Sequence, residues 1–143
     1  MENKPTKSDD QIAYLSLVQG VINRMASSSV TCKGFSATVF AGVLAVAIAA
    51  GISSRPVILL VALFVIVLFA TFDCYYFYLE KQYRLLYANV LKGEHEVDFE
   101  MSPPTYEVVT VLSTLKSPAI LWFYTPLIFI LLFSAVLVLL GFI

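Results

Sequence analysis

The residues whose types could do chemistry are concentrated in one stretch, FDCYYFYLEKQYRLLY, residues 72–87. It contains carboxylates, a guanidinium and several phenols, which are the groups that proteins use for proton transfer, anion binding and ion pairing. On an uninterrupted helix, steps of three and four residues place five of them on one face: Asp73, Tyr76, Glu80, Arg84 and Tyr87. Glu80 precedes Arg84 by four positions, which is the favourable order for a helical ion pair.

A catalytic interpretation of this stripe lacks its essential parts. The sequence offers no nucleophile with an activating base, no set of metal ligands and no pair of tuned acids beside it. The single histidine, His95, lies between two glutamates but lacks two further strong ligands for a metal. We therefore expect no enzymatic activity, no cofactor and no metal. We expect instead that the stripe docks against the N-terminal helix, with Arg24 as the partner of Asp73 or Glu80.

The composition is that of a membrane protein. Of 143 residues, 59% are hydrophobic and only 13% are charged, and the mean hydropathy is +0.86, far outside the range of soluble domains. A net charge of -1 leaves no broad basic surface, so we do not expect nucleic acid as a partner. Cys32 and Cys74 are too few for a disulfide framework.

Three segments are long and apolar enough to cross a bilayer. The first covers residues 34–52 without a charge, and the second covers residues 56–78 after a tight SSRP link. The second helix should continue into water as far as residue 91, because Gly93 is the first natural stop. The last segment, residues 118–143, gives the strongest signal and has Trp122 near its boundary with water.

The first span carries a row of small residues, which we call the alanine ridge: Ala37, Ala41, Ala45 and Ala49. Small residues four positions apart allow another helix to approach closely in a membrane. The ridge is interpreted in two ways. It receives the second helix of the same chain, which we favour, or it drives self-association of several chains.

The remaining segments complete an all-α membrane architecture. Residues 1–31 lack the features of a cleaved signal peptide and have the apolar spacing of an amphipathic helix, which Ser8 and Gln11 would cap. This helix would lie on the membrane or on the cytosolic part of the second helix. Residues 32–91 form the transmembrane hairpin, residues 92–117 an acidic linker and residues 118–143 the third span. Within the linker, alternation over residues 97–101 predicts a short extended segment, and the apolar stretch after Pro103 and Pro104 would lie along the interface.

The basic residues predict an orientation. They precede the first span or lie between the second and third spans, and only Arg55 lies in the hairpin link. By the positive-inside rule, the N-terminus and residues 80–116 are cytoplasmic, and the link and the C-terminus are outside.

Three pieces of the sequence resemble a family of small, largely uncharacterised bacterial inner-membrane proteins. They are VQGVINRMASSSVTCKGF, the pattern D-x-YYFYLE-x-QYR-x-LY from Asp73 to Tyr87, and WFYTPL. The architecture is more distantly similar to SLATT-type membrane effectors. That resemblance implies helices that form a pore in antiphage defence when an associated protein signals infection. It also implies a polar cytosolic cluster with no catalytic role, formed by Asn23, Arg24, Asp73, Glu80, Arg84 and Tyr87. We add Tyr76 to this predicted cluster because its spacing places it on the same helix face.

Two functions from different classes remain open. Protomers assemble into an oligomer that permeabilises or depolarises the bilayer under control of a cytosolic protein partner. Alternatively, the chain is a membrane anchor or accessory subunit that recruits a soluble partner through its acidic 94–107 segment. A small transporter is less consistent with the sequence, because the spans lack a central ionisable residue.

Overall fold

The computed structural model describes residues 9–95, 97, 99 and 107–141. A 3₁₀ turn, Ile52–Ser54, joins the first two of its four helices, which are α1 (Asp9–Ala49), α2 (Arg55–Lys92), α3 (Val111–Leu115) and α4 (Pro118–Leu139). Helices α1, α2 and α4 are long and apolar enough to cross a membrane. The predicted all-helical class with three candidate spans is therefore confirmed. We call the end of the bundle remote from the 3₁₀ turn the distal end.

Helix α1 is continuous across residue 31, where the sequence suggested a division between an amphipathic helix and a span. The polar run before that point lies within the helix, and two of its hydroxyls donate to carbonyls one turn back. Ser28 Oγ donates to Arg24 O at 3.1 Å and Thr31 Oγ1 to Ser27 O at 2.9 Å. The two predicted segments are thus one rod. Ser8 lies outside the described residues, and Gln11 Nε2 donates to Val90 O of α2 at 3.0 Å.

The distal part of α1 is packed against α2. Tyr14, Val18 and Ile22 of α1 form a buried core with Leu86 and Val90 of α2, which we call the distal core. Burial of these side chains supplies a hydrophobic driving force if this end is in water. The sequence left open whether the N-terminal helix lies on the membrane or on the second helix, and the structure shows it packed on α2.

Helix α2 also runs without a break, and it ends where the sequence predicted. Gly93 follows its last residue with a φ of 78°, a left-handed conformation that glycine adopts at little cost. The Glu94 N–H donates to Asn89 O at 2.9 Å, which closes the helix with a Schellman motif. At 1.5 Å per residue, α2 is about 57 Å long, so it extends well beyond a hydrocarbon core of about 30 Å.

Helix α4 packs along the part of α2 that is nearest the 3₁₀ turn. Leu59 and Ile66 of α2 share a buried core with Ile120, Tyr124 and Leu131 of α4. The helix continues through Pro126, so this proline does not end the span.

The linker before α4 differs from its predicted form. Val97 packs against the distal core, and the Phe99 ring meets the Tyr14 ring edge-on at 5.8 Å. Phe99 has a φ of 58°, which is outside the extended region and interrupts the predicted strand pattern. The described part of the chain contains no strand; residues 98 and 100–106, including both prolines, lie outside it.

The apolar stretch after these prolines ends in α3, and its position along the membrane interface stays a prediction. Thr110 and Ser113 cap α3 reciprocally, each side chain accepting from the backbone N–H of the other. The segment is attached to α2, since Gln82 Nε2 donates to Val109 O at 3.3 Å. Thr114 of α3 is fully buried, where α3 contacts α2 and α4.

Substitution of two glycines that differ in backbone conformation should change the free energy of unfolding in opposite directions. Gly93→Ala should lower the free energy of unfolding by about 1 kcal/mol, because alanine is strained in the left-handed conformation. Gly20→Ala, in the exposed middle of α1, should raise it by about 0.5–1 kcal/mol. A Cβ would meet no atom within 4 Å at either position, so crowding does not interfere. Denaturant titration in detergent micelles measures both, and a change of the same sign in both variants would contradict the capping role of Gly93.

Candidate functional site

The most deeply buried charge in the described chain is Asp73, which is 0% exposed. Helix α2 places it about 27 Å along the helix axis from Arg55, at 1.5 Å per residue. With the 3₁₀ turn near one membrane surface, that depth is close to the opposite boundary of a hydrocarbon core of about 30 Å. A carboxylate enclosed by protein at this depth requires nearby positive charge and hydrogen-bond donors.

Helix α1 supplies both partners of Asp73. Lys33 Nζ lies 2.6 Å from Asp73 Oδ2 and donates to Ser29 Oγ at 2.9 Å. Ser29 Oγ in turn donates to Asp73 Oδ1. Ser29 and Lys33 are four residues apart, so successive turns of α1 present them to the same point on α2. The three side chains form a closed arrangement that compensates the buried charge, which we call the Asp73 site.

Helix α4 contributes a buried phenol next to this site. Tyr124 is 3% exposed, and its hydroxyl lies beside Ser36 and Asp73. It makes no hydrogen bond of good geometry within the described residues, and Asp73 Oδ2 is engaged there only through the Lys33 ammonium. Ser36 Oγ donates to Cys32 O at 2.8 Å. The Tyr124 hydroxyl is therefore an unused donor beside the carboxylate.

The Asp73 site joins α1 to α2 through a buried ion pair. Cys32 and Cys74 are close to it, but both are free and buried, and the described residues contain no group of three ligands suited to a metal. The site belongs to α1 and α2, and its neighbour Tyr124 belongs to α4. The Lys33 ammonium and the Ser29 hydroxyl hold α1 against the Asp73 carboxylate of α2, and the Tyr124 phenol of α4 lies beside them.

The predicted pairing of Arg24 with Asp73 or Glu80 is wrong. Asp73 pairs with Lys33, and Glu80 accepts from Arg84 on the same helix, with an Nη2 to Oε1 distance of 2.7 Å. Arg24 lies about 13 Å along α1 from Lys33, too far for the charge of Asp73. It is exposed and makes no ion pair within the described part of the chain.

The other members of the predicted polar cluster lie at separate places. Tyr76 lines a groove together with Arg24. Asn23 Oδ1 accepts from Gln19 Nε2 at 3.1 Å on the exposed side of α1, and Tyr87 packs against the distal core. The α2 stripe thus shares a helix face as its spacing implied, but its side chains do not form one site.

Sequence reasoning missed Ser29 and Lys33, which pair with Asp73, and the buried neighbours of the site, Ser36 and Tyr124. A signal was present, because Ser29, Lys33 and Ser36 recur at steps of four and three where α1 becomes apolar.

The alanine ridge points away from the other helices. All four of its residues are exposed, while residues on the other side of α1, including Ser36 and Ala47, are buried. A Cβ added at the adjacent Gly42 would meet no atom within 4 Å. Our preferred interpretation, in which the ridge receives α2, is therefore wrong.

Comparison of the chain with models of protein families, with curated proteins and with solved structures finds no match.

The Asp73 site predicts a strong energetic coupling. Lys33→Met should lower the free energy of unfolding by about 3 kcal/mol, because it leaves a fully buried carboxylate without its counter-charge. Adding Asp73→Asn should restore most of that loss, since a neutral amide still accepts from Ser29. Denaturant titration of the single and double variants in micelles measures the coupling.

Lys116→Met is the control, because Lys116 is exposed and takes part in no ion pair of the described chain. It should change the stability by less than about 0.5 kcal/mol. Simple additivity of Lys33→Met and Asp73→Asn would show that the two side chains do not stabilise each other.

Proposed function

We propose that this chain is a non-enzymatic membrane protein whose protomers associate through the alanine ridge of α1. The oligomer permeabilises or depolarises the membrane when a cytosolic protein partner acts on it. In keeping with the resemblance noted above, its setting is the bacterial inner membrane, with a cytoplasmic N-terminus and a role in antiphage defence. The observation that supports the proposal most directly is the outward orientation of the ridge.

Association through the ridge follows from the way helices bind each other in lipid. Large apolar side chains gain little by leaving lipid tails for another apolar surface, so helix contact depends on close packing and hydrogen bonds. On α1, the four alanines of the ridge and Gly42 leave the backbone accessible on the side opposite α2. A second copy can therefore approach α1 closely without displacing any helix of the first.

Control by a partner is consistent with the continuity of α1 and α2. Both helices extend from the spans to the distal core, where Tyr14 and Leu86 are completely buried. A partner that binds the distal end and shifts one helix against the other would transmit that shift along rigid rods. The Asp73 site lies on the way, and it resists relative movement of α1 and α2.

The exposed faces of the spans offer few polar groups for a pore. Thr38 and Thr71 are exposed, but their hydroxyls donate to Gly34 O at 3.0 Å and Val67 O at 2.9 Å in their own helices. Thr125 is exposed on α4. A pore lined by such faces would contain a hydrophobic constriction, which closes by dewetting and opens when it widens.

This scarcity of polar groups also favours the second candidate function, a membrane anchor or accessory subunit. Such a protein needs stable spans and an accessible distal end, but no water-filled path. Recruitment would use the acidic 94–107 segment, of which Glu94, His95, Val97, Phe99 and Glu107 are described. Glu94 and Glu107 are both exposed.

The proposed association is tested by Ala41→Leu. A leucine on the ridge separates the two helix backbones, so the association constant in bilayers should fall about tenfold, which corresponds to ~1.4 kcal/mol. Single-molecule photobleaching or membrane cross-linking measures the oligomer distribution. Ala119→Leu, an equal substitution at an exposed position of α4, is the matched control and should leave the distribution unchanged.

Equal oligomer distributions for Ala41→Leu and the unsubstituted chain would overturn assembly through the ridge. Loss of membrane potential on expression then separates the two functions. Depolarisation that Ala41→Leu abolishes and Ala119→Leu preserves supports the oligomeric effector. Assembly without depolarisation, even with the partner present, supports the anchor.

A further inference from the structure

We propose that a groove between α1 and α2 binds one anionic phospholipid, with its phosphate at Arg24 and an acyl chain along phenylalanines that lie nearer the 3₁₀ turn. We call it the boundary groove. It has a volume of about 480 Å³, and its walls include Arg24, Ser27 and Phe35 of α1 with Phe69, Phe72 and Tyr76 of α2. The part of the groove at Arg24 is called its upper part, and the part at the phenylalanines its lower part.

The groove lies at the depth where a lipid changes from headgroup to acyl chain. Along α1, Phe35 is about 21 Å and Arg24 about 37 Å from Ala49, at 1.5 Å per residue. A hydrocarbon core of about 30 Å, measured from the 3₁₀ turn, would therefore end between these two residues, and the phosphate layer extends several ångströms further. Arg24 is thus level with phosphates, and Phe35 is level with acyl chains.

The upper part of the groove presents donors without partners. Arg24 has no carboxylate partner, and neither the Ser27 nor the Tyr76 hydroxyl makes a hydrogen bond in the described chain. Ser28 and Thr31 also line this part, but their hydroxyls already donate to α1 carbonyls. A guanidinium with hydroxyls on two facing helices is suited to the several oxygens of a phosphate.

The lower part of the groove is apolar and continues into the span. The Phe35 and Phe69 rings are stacked with centroids 6.0 Å apart, which joins the two helix walls. Phe72 is half exposed beside them. An acyl chain lying on these rings would bury apolar surface against protein without meeting a polar group.

Charge selects an anionic lipid over a zwitterionic one. Among the described residues, no carboxylate lines the groove, and the buried Asp73 is already compensated by Lys33. Glu80 is likewise paired with Arg84. Within the described part of the chain, Arg24 is therefore an uncompensated cation, and a basic side chain at a membrane surface attracts anionic lipids.

Native mass spectrometry of the full chain, released from bilayers of equal parts phosphatidylglycerol and phosphatidylcholine, tests the proposal. The unsubstituted protein should retain phosphatidylglycerol preferentially. Arg24→Gln should weaken this binding about fivefold, the effect of ~1 kcal/mol for one basic residue at a membrane surface. Arg24→Lys, which keeps the charge but loses the forked donor geometry, should fall between the two.

Lys116→Gln removes an exposed cation a short distance before α4 and is the control for general attraction of anionic lipids. It should change phosphatidylglycerol retention less than twofold, and helix content by circular dichroism should be equal for all variants. An equal loss in Arg24→Gln and Lys116→Gln would overturn the site in favour of diffuse electrostatics. Absence of a preference for phosphatidylglycerol, or its displacement by millimolar inorganic phosphate, would overturn the lipid as occupant.

The inference is independent of assembly through the ridge. Ala41→Leu leaves the groove residues unchanged, so this variant should retain the preference for phosphatidylglycerol whether or not it associates.

Discussion

The compensation of one buried charge constrains the whole hairpin. Asp73 is enclosed by protein at the edge of the apolar layer, where an unpaired carboxylate would be expensive. Lys33 and Ser29 compensate it only when α1 has one rotation and one depth relative to α2. A shift by a single residue turns a helix by about 100° and separates these groups. The short link Ile52–Ser54 limits the shift in depth, and the Asp73 site fixes the rotation.

Two apolar cores lie on either side of this polar layer. The membrane core, with Leu59, Ile66 and Tyr124, lies towards the 3₁₀ turn, and the distal core, with Tyr14 and Leu86, lies beyond the predicted membrane boundary. The physical origin of packing differs between them, because apolar burial is driven by water at the distal end but not in lipid. Unbroken α1 and α2 connect them. Their relative orientation at one end is therefore transmitted to the other.

The spans and the length of α2 could be predicted because both depend on local sequence. Uncharged runs define the spans, and only Gly93 offers the left-handed residue that ends α2. Partners between helices depend on register, which helical periodicity alone does not give. In a hairpin that turns at residue 52, residues equally far from the turn lie at the same depth in the membrane. Asp73 is therefore level with Thr31, between Ser29 and Lys33, and equal depth could have identified Lys33 as its partner. By the same comparison of depth, Arg24 is level with Glu80. Only the rotation of α1, which turns Arg24 into the boundary groove, excludes that pairing.

The alanine ridge shows the same limit. Small residues at four-residue spacing indicate that some helix can approach, but not which one. The intramolecular contact of α1 uses a face that includes Ser36, Ala47 and the larger Phe40 and Leu44. This face was less conspicuous in the sequence than the ridge. Packing within the hairpin was decided by the polar layer and by larger side chains, which leaves the ridge free.

Helix α1 consequently carries three surfaces whose positions are coupled. One holds Lys33 against Asp73, one exposes the alanine ridge, and one forms a wall of the boundary groove. A rotation of α1 about its axis would alter all three together, and separating the buried pair opposes it by about 3–5 kcal/mol. A partner that rotates α1 must bind the rotated state more tightly by at least that free energy, roughly a hundredfold to several thousandfold in affinity. The Asp73 site would then set the threshold for any signal received at the distal end, and a lipid in the groove would raise or lower that threshold by its own preference for one rotation.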